Sequence, residues 1–182
     1  MRPMSAERLM TLLLVVMAIS LTSIVVSPLT LPESSVPDLS GSIGVVDNWK
    51  ELQNVPMPQR LVYLIGDVNC HQQLSRSYVL NDNQMPVCAR DLGILIGLMT
   101  GMSLYLGVRR KVSWTILALF LVPMALDGGL QAISDYESSN PLRTLTGALA
   151  GLALGWGAGI LIGNYYRGGD VSERSSEGSS QK

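Results

Sequence analysis

Four apolar runs dominate this chain: Leu9–Val26, Leu92–Val108, Val112–Ile133 and Leu145–Ile162. At about 1.5 Å of rise per helical residue, each approaches or exceeds the roughly 30 Å of hydrocarbon in a bilayer. Charged residues make up only 15% of the chain, against about 25% in an average soluble domain. The net charge is -1, so the basic footprint of a nucleic-acid binder is missing. A soluble single-domain enzyme is excluded. The runs predict an all-α fold: a four-helix transmembrane bundle, multi-pass in the cell membrane, with the lipid bilayer as its main partner.

The first run follows Arg2 and Arg8. It is long for the apolar region of a signal peptide, and no small-x-small cleavage site precedes Pro28, so residues 1–27 read as a retained signal-anchor helix. Orientation follows from Lys and Arg at the ends of the spans. Arg2, Arg8, Arg109-Arg110-Lys111 and Arg167 fall on one side, whereas the short Ser134–Pro141 loop has no Lys or Arg. Both termini are therefore expected in the cytoplasm. Residues 28–90 form an extracytoplasmic loop, 91–166 a three-helix transmembrane region and 167–182 a disordered Gly/Ser/Glu-rich cytoplasmic tail.

Glycines recur every four residues at Gly93, Gly97 and Gly101, and again at Gly147, Gly151, Gly155, Gly159 and Gly163. That interval sets them on one helix face, where another backbone can approach closely. Packing of the second span against the fourth is the expected use. Self-association, or docking of a membrane-protein partner, through the glycine-striped helices is the alternative.

In the long loop, Pro28, Pro32, Pro37, Pro56 and Pro58 predict irregular, loosely ordered chain with one helical turn around Trp49–Gln53. Gln59–Gln73 places Leu61, Leu64, Ile65 and Val68 on one face of a helix expected to lie along the outer membrane surface. Ser77–Leu80 and Gln84–Val87 flank Asn81-Asp82-Asn83, a short hairpin with a three-residue loop.

Topology gathers the reactive residues at one leaflet: Cys70, His71, Gln72, Arg76, Cys88, Arg90, Asp91, Asp127, Gln131, Ser139, Asn140 and Arg143. Several of them carry a resemblance. Cys70-His71-Gln72, Arg76-Ser77-Tyr78, Met85-Pro86-Val87-Cys88-Ala89-Arg90 with Gly93, Asp127-Gly128-x-x-Gln131, Ser139-Asn140 and Arg143-x-x-Thr146-Gly147 resemble an uncharacterised family of small predicted membrane proteins from bacteria and archaea. That family is known only as a domain of unknown function. The resemblance covers about residues 60–155 and implies a fold and a set of polar positions, but no reaction. The family pattern has a cysteine where this chain has Asp91, which bears on an all-thiolate metal site, although Asp also ligates zinc.

On their own chemistry, Cys70 and Cys88 favour a structural disulfide, given an oxidising compartment and an even cysteine count. No cofactor is then needed. The alternative is zinc held by Cys70, His71, Cys88 and Asp91, and a reactive thiol is a third reading. Disulfide and metal exclude each other. His71 and Asp127 are the candidate acid/base groups, and Arg76, Arg90, Gln131 and Arg143 the candidate binders of an anionic head group. Asp127 inside a span needs a counter-ion; Arg143 or Arg90 can supply it, and Arg143 is the expected partner. With no nucleotide loop or Ser-His-Asp order, two functions stand. One is a membrane enzyme acting on a lipid or membrane-proximal substrate. The other is a non-catalytic scaffold or partner-binding subunit with a structural disulfide and a buried ion pair.

Overall fold

In a computed structural model, which describes residues 5–39 and 44–179 with side chains through Arg167, four helices are long and apolar enough to cross a membrane. They are α1 (Ala6–Thr30), α4 (Ala89–Val108), α5 (Trp114–Ile133) and the Asn140–Arg167 part of α6 (Asn140–Ser179). Between α1 and α4 lie α2 (Trp49–Leu52), α3 (Gln59–Asn69), a 3-10 turn at Leu74–Arg76 and the strands β1 (Ser77–Leu80) and β2 (Asn83–Cys88). The all-α architecture with a small hairpin is the one expected. The backbone of α6 continues as helix to Ser179. Of the tail expected to be disordered over 167–182, the side chains beyond Arg167 and all of residues 180–182 lie outside the described residues.

Helix ends depart from the apolar runs because polar first turns belong to the helices. Ser5 caps α1 by accepting from Arg8 N–H, and Ser113 caps α5 by accepting from Thr115 N–H. Helix α4 begins at Ala89, three residues before the apolar run, which puts Arg90 and Asp91 in its first turn. Helix α6 begins at Asn140, so Arg143 is helical as well. Arg109, in the left-handed region at φ 51°, ends α4. The Arg109 guanidinium pairs with Glu7, which sets the start of α1 and the end of α4 side by side.

The inner pair is α4 and α6: 33% and 50% of their apolar windows are buried, against 11% for α5 and 6% for α1. A Cβ on Gly93, Gly97 or Gly101 would fall on the carbonyl oxygens of Thr144, Ala148 and Leu152; one on Gly147, Gly151 or Gly155 would fall on those of Arg90, Ile94 and Leu98. Gly159 and Gly163 make room for the Tyr105 ring. The two stripes therefore meet within one chain, and the face that self-association would have used is covered. Met10, Met102, Tyr105, Leu117, Ala153 and Ile160 fill the core beside this seam. Leu12, Val15 and Ile19 of α1 and Leu119, Val122 and Leu126 of α5 point outward, an apolar surface suited to lipid.

The loop is irregular, as its prolines require, but it is not loose. Leu31, Val36, Leu39, Leu52, Val55 and Tyr63 form a second core. Two adjacent amides of β2 hold it. Asn83 Oδ1 accepts from Val36 N–H (2.9 Å) while its amide donates to Pro28 O and Pro32 O. Gln84 Oε1 accepts from Leu39 N–H (2.7 Å) while its amide donates to Gln72 O and Ser77 Oγ. Gln72 in turn donates to Tyr63 O and Pro86 O, and Tyr63 O–H donates to Gln84 O. The hairpin loop has two residues rather than three: Leu80 pairs with Asn83, and Asn81 and Asp82 both have φ 54°, as a tight primed turn demands. On α3, Leu64 turns to the core while Leu61, Ile65 and Val68 face out.

Gln84→Leu should loosen this loop without disturbing the spans. It strands the buried Leu39 N–H and Gln72 carbonyl, at about 1–3 kcal/mol for each unsatisfied group. The expected result is a lower Tm and new protease cleavage within residues 31–58. Gln84→Glu, which keeps the acceptor and loses the donor, should fall between that variant and the wild type.

Candidate functional site

Loop and bundle meet at a cleft of about 180 Å³, lined by Cys70, His71, Arg76, Cys88, Arg90, Asp91 and Arg143 together with Asn69, Gln72 and Gln73. Each wall has a local cause. Cys70 ends α3 in an extended conformation, its N–H bonded to Gly66 O. Gly66 lies so close to the β2 backbone that a Cβ would overlap Pro86 O, and Gln72 takes a left-handed φ of 43°. This turn brings Cys70 Sγ within 3.2 Å of Cys88 N–H. Cys88 caps α4, its Sγ accepting from Asp91 N–H at 3.5 Å. The two sulfurs and a carboxylate oxygen of Asp91 all lie within 4.8 Å of one another.

Both cysteines are free thiols, so the expected disulfide is not formed. The hairpin is held instead by the amides of Asn83 and Gln84, and each sulfur takes a backbone N–H. A hydrogen bond between the two thiol side chains holds the Cys88 thiol below its ordinary pKa. The same bond, with burial, pushes the Cys70 thiol up. His71 stands at the exposed rim of the cleft, but its ring nitrogens are not part of the Cys70–Cys88–Asp91 group.

Three arginines reach this cleft from three elements. Arg143 of α6 is 3% exposed and donates to Ser75 O and Asn140 Oδ1, both at 3.1 Å. Arg90 of α4 donates to Asp127 Oδ2 at 2.6 Å and to Gln131 Oε1 at 3.3 Å. Arg76 ends the 3-10 turn. The Nε–H groups of Arg76, Arg90 and Arg143 are all buried with no hydrogen-bond partner among the described residues.

The expected Asp127–Arg143 pair is thus replaced by Asp127–Arg90. The early start of α4 aims Arg90 at α5, where its guanidinium lies against Gly128, with Nη1 at ordinary contact distance, 3.5 Å, from where a Cβ would stand. Arg143 is drawn to the 3-10 turn instead. Tyr136 O–H also donates to Asp127, at 3.4 Å. Asp127 and Gln131, expected as catalytic and substrate-binding candidates, sit behind Arg90 and outside the residues lining the cleft. Sequence reasoning did not single out Asn69 and Gln73 as lining residues, or the clamps that seat the hairpin on α6. In those clamps Tyr78 Oη meets Thr144 Oγ1 at 3.0 Å, and Asn140 donates to Ser77 O at 2.9 Å. Polar residues flanking a hairpin and a helix start were the only signal for them.

Fold and site together define a class, a polytopic helical membrane protein with a polar cleft at one end of its bundle. Residues 70–156 match the family described as predicted membrane protein (DUF2085), and the chain belongs to that family. It is 37% identical over 98 residues to an uncharacterized protein of Methanocaldococcus jannaschii, covering 51% of this chain and 63% of that relative's length. It is 35% identical over 88 residues to an uncharacterized protein of Methanothermobacter thermautotrophicus, covering 47% of this chain and 79% of the relative. No solved structure matches.

Proposed function

We propose that this membrane protein binds a phosphate-bearing, membrane-proximal anion in the cleft, with Arg76, Arg90 and Arg143 as the binding groups and His71 as the group placed for proton transfer. The observation that carries the reading is the three buried, unpartnered Nε–H groups around one cleft. Guanidinium forks match phosphate oxygens, and charge-assisted hydrogen bonds of this kind are the stronger ones. Asp127 is engaged by Arg90, and Asp91 is the one carboxylate among the lining residues against three guanidinium groups, so positive charge remains for a ligand. The reading extends to a membrane enzyme acting on an anionic head group. The alternative, a non-catalytic partner-binding subunit, draws support from the Arg90–Asp127 pair and the pinned loop, and expects no response to anions.

Thermal unfolding of protein purified in a neutral detergent tests the proposal. Inorganic phosphate and a short-chain phosphatidic acid are the two probes, and at saturation one or both should raise Tm by several degrees. A response to the lipid alone assigns a head group; a response to phosphate alone assigns a free anion. Arg76→Gln should abolish the shift while leaving the unliganded Tm close to wild type. An identical shift in wild type and variant, or no shift with either probe, overturns the reading.

Orientation belongs to the same proposal. The Arg109-Arg110-Lys111 end, which the Glu7–Arg109 pair shares with the start of α1, is read as cytoplasmic and the cleft as extracytoplasmic. In intact cells, a membrane-impermeant thiol reagent should label a cysteine introduced at Asn54 and spare one introduced at Lys111. The opposite pattern reverses the assignment.

A further inference from the structure

We propose that Cys70, Cys88 and Asp91 form a zinc-class metal site, two thiolates and one carboxylate oxygen, with a fourth coordination position open to the cleft. The three ligand atoms already lie within 4.8 Å of one another. Tetrahedral zinc, with bonds of about 2.0–2.3 Å, sets its ligands about 3.5 Å apart, so the three atoms need close on one another by little more than 1 Å at most. The ligands come from fixed points: the C-cap of α3, the N-cap of α4 and the first turn of α4. Gly66 and the Gln72 amide lock the first of these against β2.

Each sulfur also accepts a backbone N–H, from Cys88 to Cys70 and from Asp91 to Cys88. At Cys88 that donor and the α4 N-terminus favour the thiolate form, whereas at Cys70 binding of the ion displaces the thiol proton. Charge balances too. A divalent ion that displaces two thiol protons leaves the net charge of the cleft unchanged, so the neighbouring arginines do not oppose it. Sulfur-rich donor sets select zinc over magnesium or calcium. Three protein ligands with one open position are the arrangement of catalytic rather than structural zinc sites, and here Arg76, Arg90 and Arg143 line the same cleft as the three ligands. Metal and anion would then occupy adjoining parts of one site.

Metal binding is measured on the reduced, detergent-purified full-length protein with zinc alone, and with cobalt(II) as the spectroscopic probe. One equivalent of zinc per chain is expected, with thiolate-to-cobalt charge-transfer absorption in the near ultraviolet. The Cys70→Ser/Cys88→Ser double variant should lose that absorption. Asp91→Asn should weaken zinc binding about tenfold or more, whereas Asp91→Cys, which supplies a third thiolate, should bind at least as tightly as wild type. The Asp91 variants keep the test decisive if loss of both cysteines disturbs folding. His71→Ala should retain the metal; loss of binding there would fill the fourth position and overturn the open site. Absence of the cobalt band in folded, reduced protein, or zinc retained by the double cysteine variant, overturns the metal site itself. The phosphate-induced Tm shift, taken on metal-free protein, tests the anion site separately.

Discussion

Gly151→Leu should leave the chain unable to form its bundle. A Cβ at that position falls on the Ile94 carbonyl and its Cα, so backbone, rather than a flexible side chain, would have to yield. Ordinary overpacking costs about 1–3 kcal/mol. Here the obstruction is another helix's main chain, so a loss of about 3 kcal/mol or more is expected. Lipid supplies little apolar drive to hold separated helices together. The measurements are the elution profile in detergent and Tm. Gly129→Leu is the control, because nothing lies within 4 Å of a Cβ there. It should be neutral or slightly stabilising, since Gly is about 1 kcal/mol poorer than Leu in a helix. Equal behaviour of the two variants would mean that α4 and α6 do not pack along their glycines.

Asp127→Asn should cost about 3 kcal/mol and show as a clear fall in Tm. It leaves Arg90 facing neutral partners inside the bundle, and truncating one member of a buried pair typically costs about 3–5 kcal/mol. The lower end applies because the Arg90 side chain is 25% exposed, whereas that of Asp127 is 4% exposed. Replacing both members, Arg90→Met with Asp127→Leu, should recover much of the loss, since no uncompensated charge remains. Arg143→Gln should also destabilise, because it removes donors to Ser75 and Asn140, but its effect should add to that of Asp127→Asn. Strong coupling of Asp127 to Arg143, with additivity to Arg90, would contradict the pairing.

The spans were legible in the sequence because lipid imposes one rule, a continuous apolar run of fixed length. The glycine interval was legible for a similar reason: a period of four on two helices has one efficient use. The loop was harder. Proline-rich chain reads as loose, and nothing in its local pattern shows that Val36 and Leu39 will be buried through the side chains of Asn83 and Gln84, more than forty positions later. Asn83 looked like part of the turn because its residue type favours turns, yet its amide holds Val36, Pro28 and Pro32. The gathering of Cys70, Arg76, Cys88, Arg90 and Arg143 followed from topology alone. Which arginine meets Asp127 did not, because the choice depends on the first turn of α4, whose polar residues hide the start of the helix.

Native mass spectrometry on the protein released from mixed neutral and phosphate-bearing lipid addresses the anion-binding cleft most directly. The arginine arrangement predicts one tightly held anionic lipid, or one phosphate, per wild-type chain, and loss of that adduct in Arg76→Gln with the fold intact. Equal retention of the anion by both proteins, or a preference for neutral lipid in the wild type, would contradict it.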